Sequence, residues 1–221
     1  KLGCKVMRVQ YMMSPAAFER LAPYAELFDV KCGIEIHNPE TPLSDNIKGY
    51  VEVIERTGSK YLGLVPDFGC FAVEPNKPKW DRALSIGVKE EHLQMAKQMK
   101  LDGIPQNEAA EKLMAAGAHP AIMETLAGMY GFVQFRSRDE LPRLLDELKA
   151  VLPYEMHGKF HYLDENCVEA SIPYDELFAF LKENDYDGYV ISEYEDEIEM
   201  TNEVIKPYLS KWMKQSQDML D

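Results

Sequence analysis

Five short runs rich in β-branched, aromatic and other apolar residues form the clearest predicted strands. They cover residues 5–10, 31–37, 61–65, 154–160 and 189–194. Longer stretches with apolar residues at helical spacing lie among them and predict helices at 14–28, 41–56 and 173–184. This alternation of strand and helix is typical of βαβ units, so we expect a parallel sheet.

The alternation changes between residues 71 and 152. Consecutive helices are predicted there at 89–100, 106–117, 120–129 and 137–151, and residues 129–135 are either a short strand or a loop. The sequence has no internal repeat, low-complexity tract or long linker. We therefore expect a single domain over 1–221 that includes a helical insertion at 71–152.

Five strands are too few for a closed (β/α)₈ barrel, which usually needs about 250 residues. The chain opens without Met on a predicted helix end, a Gly stop and a strand, as in the middle of a domain. We therefore expect an α/β TIM barrel that lacks its N-terminal strands, and an open α/β sheet is the alternative. A half barrel exposes sheet edges that another chain would have to cover, so an oligomer is expected.

The chain is strongly acidic, with 38 Asp and Glu residues against 24 Lys and Arg and a net charge of −14. Such a field repels phosphate backbones, so nucleic acid is not an expected partner. Four scattered cysteines form no CxxC pair. No run of 18 apolar residues and no signal-peptide pattern is present, so we expect a cytoplasmic protein that does not cross a membrane.

Polar side chains stand at or just past the C-terminal ends of four predicted strands. They are Glu35, Asp67, His157 and Glu193. Active sites of parallel α/β folds are built at these strand ends. A charged group that faces a barrel interior is costly unless it is paired or bound to a metal. Three carboxylates and one imidazole around a divalent cation would remove that cost, and this predicts a metal site.

The type of ligand favours some metals over others. Oxygen-rich ligation with one nitrogen suits Mn²⁺ or Mg²⁺, and Zn²⁺, Co²⁺ and Fe²⁺ fit less well. Each residue also has an ordinary interpretation as a solvated loop residue, a helix cap or a structural histidine. Glu193 is preferred as the ligand over Glu195 because it lies nearer the strand end, with Glu195 in reserve.

Strand periodicity extends the predicted site, because residues two apart point to the same side. His37 therefore faces the same way as Glu35, and Lys159 the same way as His157. Lys159 could polarise a substrate carbonyl, or it could simply pair with Asp164 or Glu165. Further candidates for substrate contact are Arg8, Gln10 and Trp80.

Four segments together resemble the xylose isomerase-like barrels, the sugar phosphate isomerase and epimerase group. They are GIEIHN at 33–38, GLVPDFG at 63–69, HGKF at 157–160 and GYVISEYE at 188–195. The resemblance implies metal ligands in the order Glu, Asp, His, Glu on barrel strands five to eight, which are here Glu35, Asp67, His157 and Glu193. It makes residues 5–10 strand four and leaves strands one to three absent.

Two features of the sequence differ from those of compact sugar epimerases and indicate another branch of the xylose isomerase-like barrels. Sugar epimerases often carry a second histidine a few residues after the Asp, but Asp67 is followed by Phe68, Gly69, Cys70 and Phe71, and the insertion after this strand is long. These features resemble the C-glycoside deglycosidase α-subunits. That likeness implies a sugar or glycoside substrate, possible β-elimination and a small β-subunit as partner.

The leading hypothesis is therefore a metal-dependent enzyme that removes a proton next to a carbonyl of a sugar or keto-glycoside. In the epimerase pattern Glu35 and Glu193 are both ligands and bases, whereas His37 is the candidate base for a deglycosidase-like reaction. Lys159 is the candidate for polarising the substrate. The non-enzymatic alternative is a sugar-binding or assembly subunit completed by another chain.

An endonuclease IV-like DNA repair enzyme is disfavoured. Such enzymes need several histidines for a trinuclear zinc cluster and a basic surface that faces DNA. This chain has five histidines and a net charge of −14.

Overall fold

The computed structural model describes residues 3–149, 154–195 and 202–220, apart from the side chains of 202–208. Its five strands are all parallel. They are β1 (Val6–Val9), β2 (Lys31–Ile36), β3 (Leu62–Pro66), β4 (Glu155–Phe160) and β5 (Tyr189–Tyr194). These bounds confirm the five strands predicted from the apolar runs.

The strands lie side by side in the order in which they occur along the chain. β1 pairs with β2 and β2 with β3, whereas β4 pairs with β5. A single parallel bridge between Asp67 and His157 joins the two groups. A strand order without reversal is that of a barrel wall and differs from a doubly wound sheet, which reverses direction at a switch point. The described strands form an incomplete barrel, as expected from their number.

Burial along the strands reflects their place in this wall. β3 and β4 are buried throughout and β2 from Cys32 onward, as is typical of parallel strands covered on both faces. The two outer strands are more open, with Met7 46%, Tyr189 70% and Ile191 46% exposed. The prediction of open sheet edges is consistent with this exposure.

Three helices lie between the first three strands. They are α1 (Pro15–Glu19), α2 (Ala22–Phe28) and α3 (Asp45–Thr57). The single helix predicted at 14–28 is wrong: it is two helices, because Pro23 lacks the N–H needed inside a helix and instead occupies the first turn of α2. Ser14 caps α1 through its hydroxyl, which accepts from the backbone N–H of Ala17.

The helical insertion contains one more helix than predicted. It comprises α4 (Lys77–Ser85), α5 (Glu90–Leu101), α6 (Gln106–Ala115), α7 (Ile122–Tyr130) and α8 (Leu141–Lys149), with 3₁₀ turns at Phe68–Phe71 and Arg138–Glu140. After α7 the chain continues as a loop and not as a strand. The predicted end of the last insertion helix, at 150–151, lies outside the described residues.

The chain closes with α9 (Tyr174–Glu183), which precedes β5, and α10 (Asn202–Leu220). Tyr174, Phe178 and Trp212 from these helices pack with Phe68 and Phe160 in one aromatic cluster. This cluster anchors the ends of β3 and β4, where the predicted site lies. Within the described ranges, none of the helices has the length and apolar character needed to cross a bilayer.

Candidate metal centre and active site

Four polar side chains remote in sequence converge at the C-terminal ends of the strands. Glu35 lies in β2, His157 in β4, Glu193 in β5, and Asp67 directly follows β3. One ligand atom from each residue lies within 4.8 Å of all the others. The side chains of Glu35 and Asp67 are 2% exposed, that of His157 10% and that of Glu193 33%. The structure thus brings together the four residues predicted from the strand ends.

The donor set fits a divalent cation. Ligands on opposite sides of a cation with bonds of about 2.0–2.5 Å lie about 4–5 Å apart, and the four ligand atoms fit within that span. Asp67 Oδ2, His157 Nδ1 and Glu193 Oε2 are buried without a partner in hydrogen-bonding geometry. Buried polar atoms in this state are costly and call for an explanation. Their charged neighbours lie close, with His157 Nδ1 3.0 Å from Glu193 Oε2 and Lys159 Nζ 3.0 Å from Asp67 Oδ2. A shared cation would engage all three atoms directly.

Two basic side chains balance the carboxylates from either side. Arg8 Nη1 lies 2.7 Å from Glu35 Oε1. Lys159 Nζ lies 3.0 Å from Asp67 Oδ2, 3.3 Å from Glu193 Oε2 and 2.5 Å from Glu195 Oε2. The Lys159 side chain is only 2% exposed, so this ammonium group is held inside the site.

The alternative pairing of Lys159 with Asp164 or Glu165 is wrong. The Asp164 carboxylate instead accepts from the backbone N–H groups of Asn166 and Val168 in the loop after β4. Lys159 is directed inward because it shares its strand face with His157, two positions earlier.

The pKa values of the acidic groups reflect this mixture of burial and charge. Burial raises the pKa of Glu193, but the contacts with His157 and Lys159 outweigh it and bring the value to about 2. Burial similarly opposes the contacts with His157 and Arg8 that lower the pKa of Glu35. For Asp67 burial prevails and raises the pKa despite Lys159.

His37 stands just beyond β2 at the rim of the site. Its Nδ1 lies 2.8 Å from the carbonyl oxygen of Asn38. Because a carbonyl can only accept, Nδ1 carries a proton, and Nε2 is the ring nitrogen that faces Glu195. Nε2 lies 3.7 Å from Glu195 Oε2, a contact that raises the pKa of His37 to about 9. Glu195, predicted as a reserve metal ligand, therefore contacts both His37 and Lys159.

Several residues that the sequence did not single out support this site. Asn38 is buried and donates from Nδ2 to the carbonyl of Gly69 at 3.0 Å. The backbone N–H of Gly69 in turn donates to Asp67 Oδ1 at 2.7 Å. Phe132 approaches His37 with ring centroids 6.3 Å apart. Asn38 adjoins His37 in the quoted GIEIHN segment, but its long-range partner became visible only in the fold.

The other suggested contacts have different positions. Arg8 is at the site, as described. Gln10 is exposed after β1. Trp80 lies in α4, where its indole N–H donates to Glu90, and it lines a shallow pocket with Leu84 that contains none of the four converging residues. Trp80 therefore lines a pocket separate from the four converging residues.

The five histidines do not form a common cluster. His37 and His157 belong to the site, and His161 bonds through Nδ1 to the backbone carbonyl of Glu195. His92 lies in α5, and His119 precedes α7. Among the described residues, one group of three or more potential ligands converges, and it contains a single histidine. This arrangement differs from the histidine-rich zinc cluster expected of an endonuclease IV-like enzyme.

Comparison with known proteins identifies the family of the chain. The family model described as a xylose isomerase-like TIM barrel matches residues 10–220. The chain is 28% identical over 217 residues to the 3'-dehydrocarminate deglycosidase alpha subunit of Microbacterium sp, which covers 88% of this chain and 58% of that protein. It is 28% identical over 211 residues to the C-glycoside deglycosidase alpha subunit of Microbacterium trichothecenolyticum, with 88% and 55% covered.

A C-glycoside deglycosidase alpha subunit of Arthrobacter globiformis is 26% identical over 213 residues, again with 88% of this chain and 55% of the relative covered. The chain thus spans a little more than half the length of these curated relatives.

Proposed function

This chain belongs to the xylose isomerase-like TIM barrel family, and we propose that it carries the catalytic metal site of an enzyme that removes a proton next to a carbonyl of a sugar or keto-glycoside. The observation that carries the proposal is the convergence of Glu35, Asp67, His157 and Glu193 within 4.8 Å. Three of these residues have buried polar atoms that lie within ion-pair distance of one another or of Lys159 but meet no partner in hydrogen-bonding geometry. A purely structural cluster would be expected to satisfy those atoms.

We further propose that the reaction is cleavage of a C-glycoside, with isomerisation or epimerisation of a sugar as the alternative. The relatives named as C-glycoside deglycosidase alpha subunits support the first outcome. The position of His37 also supports it, because this side chain stands at the rim near the four ligands without being one of them. The same names suggest that a second subunit takes part.

The four ligands would hold the cation. Ligand type favours Mn²⁺ or Mg²⁺ over Zn²⁺, Co²⁺ and Fe²⁺, and Mn²⁺ is the metal we propose. When bound, a divalent cation supplies Lewis-acid polarisation of a carbonyl, and its charge favours the neutral form of a nearby imidazole.

The residues around the ligands have distinct roles in this proposal. His37 exchanges a proton with the substrate at Nε2, while the Asn38 carbonyl fixes the ring through Nδ1. Glu195 orients the ring from the other side. Lys159 is a positioning residue, because its ammonium group is buried among Asp67, Glu193 and Glu195 and has little surface left for a substrate.

Cleavage by β-elimination needs only proton transfers. The base takes the proton from the carbon between the ketone and the carbon that bears the aglycone. The electron pair of that C–H bond forms the new C=C bond, and the aglycone leaves with the electrons of the broken C–C bond and takes up a proton. No oxidant or reductant is consumed. Acid–base groups such as His37, Glu35 and Glu193 can therefore carry out all the proton transfers that the reaction needs.

The test combines metal analysis with activity. The full-length protein, alone and with its small subunit, is stripped with EDTA, reloaded with each metal and assayed on a panel of ketoses and 3-keto glycosides. We expect one bound equivalent of metal, activity that returns with Mn²⁺, and release of free aglycone. His37→Asn should abolish activity and keep the metal, whereas His119→Asn, a substitution in the insertion, should change neither.

Three outcomes would contradict parts of the proposal. Activity that survives complete metal removal would exclude a catalytic metal. Interconversion of ketoses without aglycone release would replace the lyase by an isomerase. Sugar binding without metal or turnover would favour the alternative of a binding or assembly subunit.

A further inference from the structure

The loop after α7 crosses the mouth of the site. Residues 132–136 run past the turn that follows β2, and alternate side chains face that turn. Phe132 contacts the ring of His37, Gln134 Nε2 donates to the carbonyl of Pro39 at 3.2 Å, and Arg136 Nη2 approaches the same carbonyl at 3.5 Å. Phe132 is 61% exposed. The insertion therefore provides one wall beside the proposed proton-transfer residue.

Two cations on this wall form no ion pair with any of the described carboxylates. The guanidinium of Arg136 contacts only the carbonyls of Cys70 and Pro39, both at 3.5 Å, the outer limit for a hydrogen bond. Lys100 Nζ lies 3.3 Å from Gln134 Oε1 and 4.6 Å from the centre of the Tyr130 ring. Among the described residues, neither cation has a carboxylate oxygen within salt-bridge distance. We call Lys100 and Arg136 the outer cation pair.

Neighbouring cations on the same elements differ. Lys97, one turn earlier in α5, forms an ion pair with Glu74, and Arg138, two residues after Arg136, forms one with Glu176. In a chain with 38 acidic residues, unpaired cations that are only partly exposed are unexpected. Burial lowers the pKa of both Lys100 and Arg136, and for Lys100 the nearby guanidinium adds to the effect. The Glu140 carboxylate opposes this on both groups but does not outweigh burial. An anion bound between Lys100 and Arg136 would stabilise the charged form of both side chains.

We propose that Lys100 and Arg136 bind an oxyanion group of the substrate, a carboxylate or a phosphate, at the wall formed by residues 132–136. This inference rests on the proposed function for the identity of the substrate, but the anion site itself does not. A guanidinium presents several N–H donors in a plane and suits an oxyanion well. Against the field of a chain with net charge −14, a local pair of cations also gives an acidic substrate a place to approach.

Direct binding tests the anion site without turnover. Benzoate, inorganic phosphate and the neutral analogue benzamide are titrated calorimetrically into the full-length protein, with and without metal. We expect one of the two anions to bind and benzamide to bind at least tenfold more weakly. Arg136→Met and Lys100→Met should each weaken the anion about tenfold or more, the scale of a lost charge-assisted hydrogen bond. Arg136→Lys should give an intermediate loss.

Matched controls use the paired cations of the same elements. Arg138→Met and Lys97→Met remove one charge each nearby and should leave anion affinity within twofold of the unaltered protein. If the control variants lost as much anion affinity as Arg136→Met, the cause would be the general electrostatic field of the protein, and the proposed anion site would be wrong. Binding that disappears with EDTA but survives Arg136→Met would be binding to the metal and would overturn it as well. Tighter binding of benzoate than of phosphate would indicate that the substrate group bound here is a carboxylate.

A kinetic arm connects the anion site to the substrate. On a 3-keto glycoside with an acidic aglycone, Arg136→Met should raise KM about tenfold and keep kcat, and a neutral aglycone should be unaffected. Equal KM changes on both substrates would overturn the substrate assignment. If no glycoside is turned over by any form, the proposed function fails, while the calorimetric result still decides the anion site.

Discussion

The ammonium nitrogen of Lys159 lies 3.0 Å from Oδ2 of Asp67, and both side chains are 2% exposed. The same nitrogen also contacts Glu193 and Glu195, the two acidic residues at the end of β5. Lys159 therefore joins the acidic ends of β3 and β5. Site assembly and folding stability are coupled at this residue, because the buried Lys159 ammonium group and the buried Asp67 carboxylate each compensate the charge of the other.

Replacing Lys159 by Met should strongly destabilise the metal-free protein. Breaking a buried pair by removing one partner costs about 3–5 kcal/mol, because it leaves an uncompensated charge. The free energy of unfolding in urea measures the loss. Lys5→Met is the control: it breaks an ion pair with Asp29 whose side chains are 72% and 67% exposed, and it should change stability by less than about 1 kcal/mol. Equal losses would refute the buried-pair argument.

Metal should stabilise the folded protein and compensate part of the Lys159→Met loss. A ligand that binds only the folded state raises its stability by about 2.7 kcal/mol at a hundredfold excess over Kd. Thermal unfolding with and without Mn²⁺ measures this gain. It should vanish in His157→Ala and persist in His119→Ala, the exposed histidine of the insertion. A rise in melting temperature that persists in His157→Ala would place the metal elsewhere.

The strands and the four converging residues could be predicted because both depend on local pattern. Apolar runs fix the strands, parallel strands place their C-terminal ends at one edge, and a period of two selects His37 with Glu35 and Lys159 with His157. The partners of these side chains could not be predicted. Arg8 in β1 contacts Glu35 in β2, and Lys159 in β4 contacts Asp67 at the end of β3. Both contacts depend on the order and register of the strands.

Helix boundaries in the first βα unit and in the insertion were predicted less well. Pro23 was included in one long helix, although it marks the start of a second one. The helix Lys77–Ser85 was not predicted at all, because its Pro78 and charged residues give no apolar periodicity; it is instead fixed by the Asn76 cap and by packing of Ala83. Such elements depend on tertiary contacts that local sequence does not reveal.

Close packing at the opposite end of the barrel gives a further prediction. A Cβ added to Gly63 would lie 2.5 Å from Cε2 of Tyr154, a ring held by its hydroxyl on the Leu62 carbonyl and by Lys31 over its face. Gly63→Ala should therefore lower the free energy of unfolding by about 1–3 kcal/mol through overpacking.

Gly49→Ala is the matched control. Gly49 lies in α3, and an added Cβ would meet only Pro15 at 3.4 Å, so this change should raise the free energy of unfolding by up to about 1 kcal/mol. Chemical unfolding of both variants measures the difference, and a stabilising Gly63→Ala would show that the ring can move.

Asn38 should connect the insertion to the metal site. Its amide nitrogen donates to the carbonyls of Gly69 and Gln134, so the turn that holds Asp67 and the loop that carries Phe132 share one buried side chain. Asn38→Ala leaves both carbonyls without this donor and should cost about 1–3 kcal/mol in urea unfolding. Asn107→Ala, on the exposed face of α6, should be neutral or slightly stabilising. If Asn38 only filled space, Asn38→Leu would restore the free energy of unfolding that Asn38→Ala loses. We expect no such recovery, because the two loops would still lack their common hydrogen-bond donor.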